Sequence, residues 1–195
     1  MNAPFALKRL GGGPALAAGL LLLEACSVGA APPAPAPAPA AATGVAAPAH
    51  ACGLPRFEED LLRRVNEFRA LPRSCGSRGR FEAASPVRWS PPLTRQAFSH
   101  ARDMSARNRV DHLDARGRGP AERATLDGYG WSVFAENIAG NYAGTAEVMA
   151  GWQASAGHCA NLMSPSVTEL GVACAPGVRG SAYKTYWAME LARPR

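Results

Sequence analysis

Tyr183-Lys184-Thr185-Tyr186-Trp187-Ala188-Met189-Glu190-Leu191 closes the chain and decides its class. Tyr183, Thr185, Trp187, Met189 and Leu191 alternate with Lys184, Tyr186, Ala188 and Glu190, the period of a β-strand. Glu169 to Ala175 reads as a second strand, and Gly177 to Gly180 supplies the turn between them, so the pair forms a hairpin. Upstream, Trp131 to Ala139 is apolar and carries β-branched residues, a third strand or its exit. Pro86-Val87-Arg88-Trp89 reads as a short edge strand.

Helices fill the spaces before the hairpin. Phe57 to Leu71 repeats apolar residues at 57, 61, 65, 68 and 71, with Glu58, Glu59 and Asp60 in the first turn, where the helix dipole favours acids. Ser90 reads as an N-cap with Pro91 at the first helical position, opening a helix to about Asn108 whose inner face uses Leu93, Ala97, Ala101 and Met104. Arg109 to Gly119 has no period and reads as a loop. Pro120 to Asp127 is a short helix closed by Gly128, and another helix starts at Thr145 and runs through Trp152. Helices first, a hairpin last and no regular βαβ alternation imply an α+β domain with helices packed on an antiparallel sheet.

The N-terminal segment has a different composition. Lys8 and Arg9 precede an apolar run from Gly11 to Leu23, which at about 13 residues is short of the ~20 needed to span a bilayer. It reads as a signal peptide over 1–25. Leu23-Glu24-Ala25-Cys26 resembles a bacterial lipobox with Cys26 as the lipidated residue; Glu24 departs from the small residues usual at its position. Ala30 to Ala49 is nearly all Ala and Pro, a tether over 26–50 that in polyproline II form reaches roughly 60 Å. Residues 51–195 then make one domain. With Cys26 lipidated, Cys52, Cys75, Cys159 and Cys174 remain, an even number suited to an oxidising compartment, with three pairings open.

The formal charge is +6, and +5 without Lys8, Arg9 and Glu24; the cations are scattered Arg, with Lys184 the only other Lys. An exported chain of this kind points away from nucleic acid and toward anionic envelope polymers or lipid headgroups. No GxGxxG, Walker loop, GxSxG or HExxH is present. Chemistry is left to His112, to Glu136 in Ala135-Glu136-Asn137-Ile138-Ala139, and to His158 in Gly157-His158-Cys159. Two imidazoles and a carboxylate suit acid–base work or an open divalent metal site, zinc above all, with His112 and His158 as ligands and Glu136 as the third. His50, in the tether, and His100, on a helix face, suggest no role.

The order of segments resembles the CAP superfamily (the SCP-like domain of cysteine-rich secretory, antigen-five and pathogenesis-related proteins) in its bacterial branch. The likeness runs from Asn66 and Arg69 through Trp89-Ser90-Pro91-Pro92-Leu93, Ala101-Arg102-Asp103-Met104, His112, Arg123 with Gly128-Tyr129, Glu136-Asn137-Ile138-Ala139, Trp152, Gly157-His158, Asn161 and the hairpin. The resemblance implies a three-layer α-β-α sandwich with a central antiparallel sheet and a cleft lined by two His and two acids. His112, Glu136 and His158 match three of those four; Ser155 stands where relatives carry the second acid, and Glu147 is a poor substitute. It further implies a Cys75–Cys159 disulfide, leaving Cys52 with Cys174.

Three functions follow as expectations. The first is an envelope-anchored domain, lipid-tethered on the outer membrane and facing the periplasm, or else secreted, that binds a lipid, a glycan such as peptidoglycan, or a metal-linked ligand. The second is a hydrolase of an envelope polymer using His112, Glu136 and His158. The third is a scaffold without catalysis. The loss of the second acid at Ser155 favours binding over acid–base catalysis.

Overall fold

A computed structural model describes residues 48–195. The leader, Cys26 and most of the Ala/Pro tether lie outside the described residues. Helix α1 (Phe57–Arg69) is followed by a two-stranded ribbon, β1 (Arg73–Ser74) with β2 (Arg80–Phe81), joined through a short 3-10 turn. Then come β3 (Arg88–Trp89), α2 (Pro91–Arg107), α3 (Pro120–Leu126) and β4 (Trp131–Gly140). Helices α4 (Thr145–Ala154) and α5 (Ala156–Met163) precede the closing hairpin β5 (Glu169–Pro176) and β6 (Thr185–Pro194).

The main sheet has the order β3-β5-β6-β4. It is antiparallel except at one edge, where β3 runs parallel to β5, pairing Arg88 with Glu169 and Trp89 with Leu170. The purely antiparallel expectation is corrected there, since two residues of strand carry no directional pattern. β6 lies in the middle of the sheet, and its alternation does not separate a wet face from a dry one. Residues from Tyr186 to Ala192 are all buried. Trp187, Met189 and Leu191 pack under α1, α4 and α5 with Phe57, Leu61, Met149, Trp152 and Leu162. Tyr186 and Ala188 pack on the opposite face with Ala97, Ala101 and Met104 of α2. Two apolar clusters on two faces make the three layers of an α-β-α sandwich.

The α2 layer is built from small residues so that the helix lies close to the sheet. Ser90 takes the extended N-cap conformation and its carbonyl accepts from Thr94 N at 3.0 Å, while its side chain caps no helical N–H. Asn108 ends the helix in the left-handed region at φ 53°, and its Oδ1 accepts from the Tyr186 hydroxyl at 2.8 Å. On β5, a Cβ at Gly171 would overlap the backbone of Leu93 and Thr94.

On the other face, Arg69 is fully buried at the end of α1. It donates to Ser85 O (2.7 and 2.9 Å), Leu162 O (2.6 Å) and Ser164 O (3.0 Å), fastening the segment before β3 to the C-terminal end of α5. Burial lowers its affinity for the proton, and the carbonyl end of α5 is the counter-charge. Asn66 treats Val87 as a strand would, exchanging bonds of 3.0 and 2.8 Å with its backbone. Both expected disulfides form: Cys75–Cys159 ties the first loop to α5, and Cys52–Cys174 ties the start of the domain to β5. The domain starts earlier than expected. His50 belongs to the fold: its carbonyl accepts from Cys174 N at 2.7 Å and its ring pairs with Glu58 at 2.9 Å.

Gly171→Ala drives a methyl into the backbone of α2. The expected loss is about 1–3 kcal/mol, typical of overpacking, read as a lower urea midpoint with an unchanged slope.

Candidate functional site

β4 is the far edge of the sheet, and consecutive residues on it serve different layers. Glu136 points to the α2 face, where it is directly opposite Glu190 of β6. Asn137 points to the α4–α5 face. Its Nδ2 donates to His158 O at 3.2 Å, and Asn161 donates to Asn137 Oδ1 at 2.9 Å and to Glu136 O at 3.2 Å. These amide bonds hold the start of α5, with His158, against the middle of β4.

The Glu136 side chain is 1% exposed and both its oxygens are engaged. His112 Nδ1–H donates to Oε1 at 2.7 Å, and the Arg123 guanidinium of α3 pairs with Oε2. The other terminal nitrogen of Arg123 donates to the carbonyls of His112 (2.7 Å) and Arg118 (3.1 Å), so one cation holds both the carboxylate and the 109–119 loop. The loop was expected and carries no regular structure. Its position comes from Arg123 and Glu136, and it leaves the His112 ring half exposed with Nε2 free.

Three further residues, His100, Glu190 and Arg123, complete this hub. His100 does more than occupy a helix face: its side chain is fully buried, with Nε2 donating to Asp111 O at 2.9 Å and 3.6 Å from Glu136 Oε2. Ala97, His100, Ala101 and Met104 share the i, i+3, i+4, i+7 spacing of a buried face, a signal present in the sequence. Glu190 is wholly buried, 3.8 Å from Arg123, and its oxygens have no hydrogen-bond partner. Burial and the adjacent Glu136 push it well above the carboxylate range, favouring the protonated acid. Arg123 is the cation between the two carboxyls.

The two imidazoles are displaced in opposite directions. The hydrogen bond to Glu136 raises His112 against the opposing effect of burial. Burial lowers His158, and the charge of the nearby His112 lowers it further. Ser155 stands between α4 and α5 at the N-cap position of α5, its side chain making no cap bond. Glu147 stays in the first turn of α4, accepting from Ala143 N at 3.0 Å.

The three-ligand zinc set does not fit this arrangement. Glu136 spends both oxygens on His112 and Arg123, and among the described residues no three His, Cys, Asp or Glu side chains converge to hold a metal ion.

The chain matches the model of the cysteine-rich secretory protein family, CAP, over residues 62–191. The uncharacterised protein YkwD of Bacillus subtilis is 28% identical over 91 residues, 47% of this chain and 35% of that protein, so the match spans about a third of the relative's length. An extracellular SCP-domain protein of Bacillus anthracis superposes with a TM-score of 0.51 at 22% identity, covering 70% of this chain and 41% of that one. An outer surface protein of Borrelia burgdorferi superposes with a TM-score of 0.56 at 14% identity, covering 70% and 92%. Both structures share the fold.

A histidine raised by a carboxylate adds stability that is complete below its unfolded value, about pH 6.5, and is lost as pH rises through the folded value. Proton NMR titration is expected to place His112 above and His158 below the ordinary histidine midpoint. Glu136→Gln is expected to bring His112 down, and His112→Ala to bring His158 up.

Proposed function

The chain belongs to the cysteine-rich secretory protein (CAP) family, and on that footing we propose that it is an exported envelope protein whose cleft, formed by His112, Glu136 and His158, binds a polar envelope ligand. One observation carries the reading. Glu136, buried and fastened by Arg123, orients His112 by Nδ1 and leaves Nε2 free at the sheet edge, near enough to His158 for the charge of His112 to lower it. A ligand there meets a ring that readily carries a proton and a ring that resists one. That pair suits a group with an acceptor, such as a carboxylate or carbonyl, next to a hydroxyl or amide donor. Peptidoglycan fragments have this chemistry.

Export is supported by the leader-like N-terminus, the two disulfides and the extracellular or surface descriptions of the structural relatives. Anchoring through Cys26 goes with this reading. Cys26→Ser is expected to move the protein from the membrane fraction to the soluble envelope fraction. An unchanged distribution rejects the anchor.

The opposite displacement of the two imidazoles favours one second reading, hydrolysis with His112 as acid and His158 as base. Solubilised peptidoglycan fragments separate the two. Binding is expected to raise the melting temperature of the intact chain, with the shift lost in His112→Ala and in His158→Ala and with fragment masses unchanged. Cleaved fragments that disappear with His158→Ala establish the hydrolase. No shift and no cleavage reject both.

A further inference from the structure

Of the hub residues His100, His112, Arg123, Glu136 and Glu190, only Glu190 has a side chain that no protein donor bonds. Both its oxygens are sealed from solvent, and no N–H or O–H group of the chain donates to them. β6 sets it between Glu136 on β4 and Gly171 on β5, and Gly171 has no side chain to offer. The charges that act on it are those of Glu136 and Arg123. Arg123 is 3.8 Å from Glu190 and is already bonded to Glu136. From α2, His100 lies 3.6 Å from Glu136 and spends Nε2 on Asp111 O. From the 109–119 loop, His112 bonds the other oxygen of Glu136.

One guanidinium neutralises one of two adjacent buried carboxylates, and a proton neutralises the other. Glu136 has about four lone-pair sites, and the bonds from His112 and Arg123 occupy two of them. A neutral Glu190 has one O–H to donate. Its acceptor is Glu136, directly across the ladder and within hydrogen-bonding reach. That donation draws charge from the carboxylate that bonds His112 through Nδ1. Glu136 then holds the second proton of the His112 ring less strongly than it would with His112 and Arg123 alone. An ionised Glu190 acts in the opposite sense, adding a negative charge behind the partner of the ring.

We propose that Glu190 is a positioning residue of the cleft: as a neutral acid it donates its proton to Glu136 and so sets how strongly the His112 ring holds a charge. It acts through Glu136 and touches no ligand. The consequence, a pH range of binding fixed from within the sheet, rests on the reading of the cleft as a binding site. The proton arrangement itself does not, and its test needs no ligand.

The test follows His112 in the intact chain by proton NMR titration, in wild type, Glu190→Gln and Glu190→Met. Glutamine keeps a neutral donor toward Glu136; methionine fills similar space and donates nothing. The His112 midpoint is expected to stay in place in Glu190→Gln. In Glu190→Met it is expected to rise by about half a pH unit, a threefold gain in proton affinity. Infrared difference spectra of wild type against Glu190→Gln at neutral pH are expected to show the carbonyl stretch of a protonated carboxylic acid in the wild type alone. Three results overturn the proposal. A midpoint that falls in Glu190→Gln makes Glu190 a charged neighbour of His112. A wild type without the acid band leaves no proton to donate. One midpoint shared by all three chains makes Glu190 a packing residue. If Glu190→Met does not fold, the midpoint of Glu190→Gln and the infrared band decide between neutral donor and charged neighbour. Binding of peptidoglycan fragments is read separately, so failure here leaves the cleft's function standing.

Discussion

A carboxylate inside a protein must be paired, because taking it out of water costs several kcal/mol. Glu136 sits in the sheet with 1% of its side chain exposed, directly opposite a second buried acid, Glu190. Arg123 resolves that conflict from α3, and in doing so it fixes where α3 lies and how the 109–119 loop crosses the sheet edge. His112 is then held through its Nδ1 with little freedom to turn. The placement of His112 is a consequence of satisfying one buried charge.

The two sides of β4 divide the labour. On the α2 side, small residues bring the helix close enough for His100 to reach Glu136. On the α4–α5 side, amide bonds from Asn137 and Asn161 carry His158 to the same edge. The layer order brings the two imidazoles near enough for the charge of His112 to lower His158, though 46 residues separate them along the chain. Arg69 and the Cys75–Cys159 disulfide hold α5 from behind, so His158 is set on a supported helix.

Much of this was legible in the residues. The periodicity of 57–71, the Ser90-Pro91 start, the Gly128 stop and the closing hairpin each rest on local chemistry, and each stands in the structure within a few residues. The resemblance carried His112, Glu136 and His158; in the structure His112 bonds to Glu136, and the charge of His112 reaches His158. The rest depended on register. Nothing local shows that Glu190 falls opposite Glu136, or that a two-residue strand at Arg88 runs parallel to its neighbour. His50 was hidden by the composition of the tether beside it, although its carbonyl continues the sheet edge at Cys174. His100 was readable in principle, since it shares the spacing of the buried face of α2. Its polarity argued against a core position until Glu136 supplied the reason.

The central claim is that Arg123 and Glu136 act as one unit from which the site is built. A double-mutant cycle with Arg123→Met, Glu136→Gln and both together, read by urea unfolding, tests it most directly. Coupled groups are expected to give a double variant less destabilised than the sum of the single variants by more than about 1 kcal/mol. Losses that add to within about 0.5 kcal/mol contradict it, and the placement of His112 then has another origin.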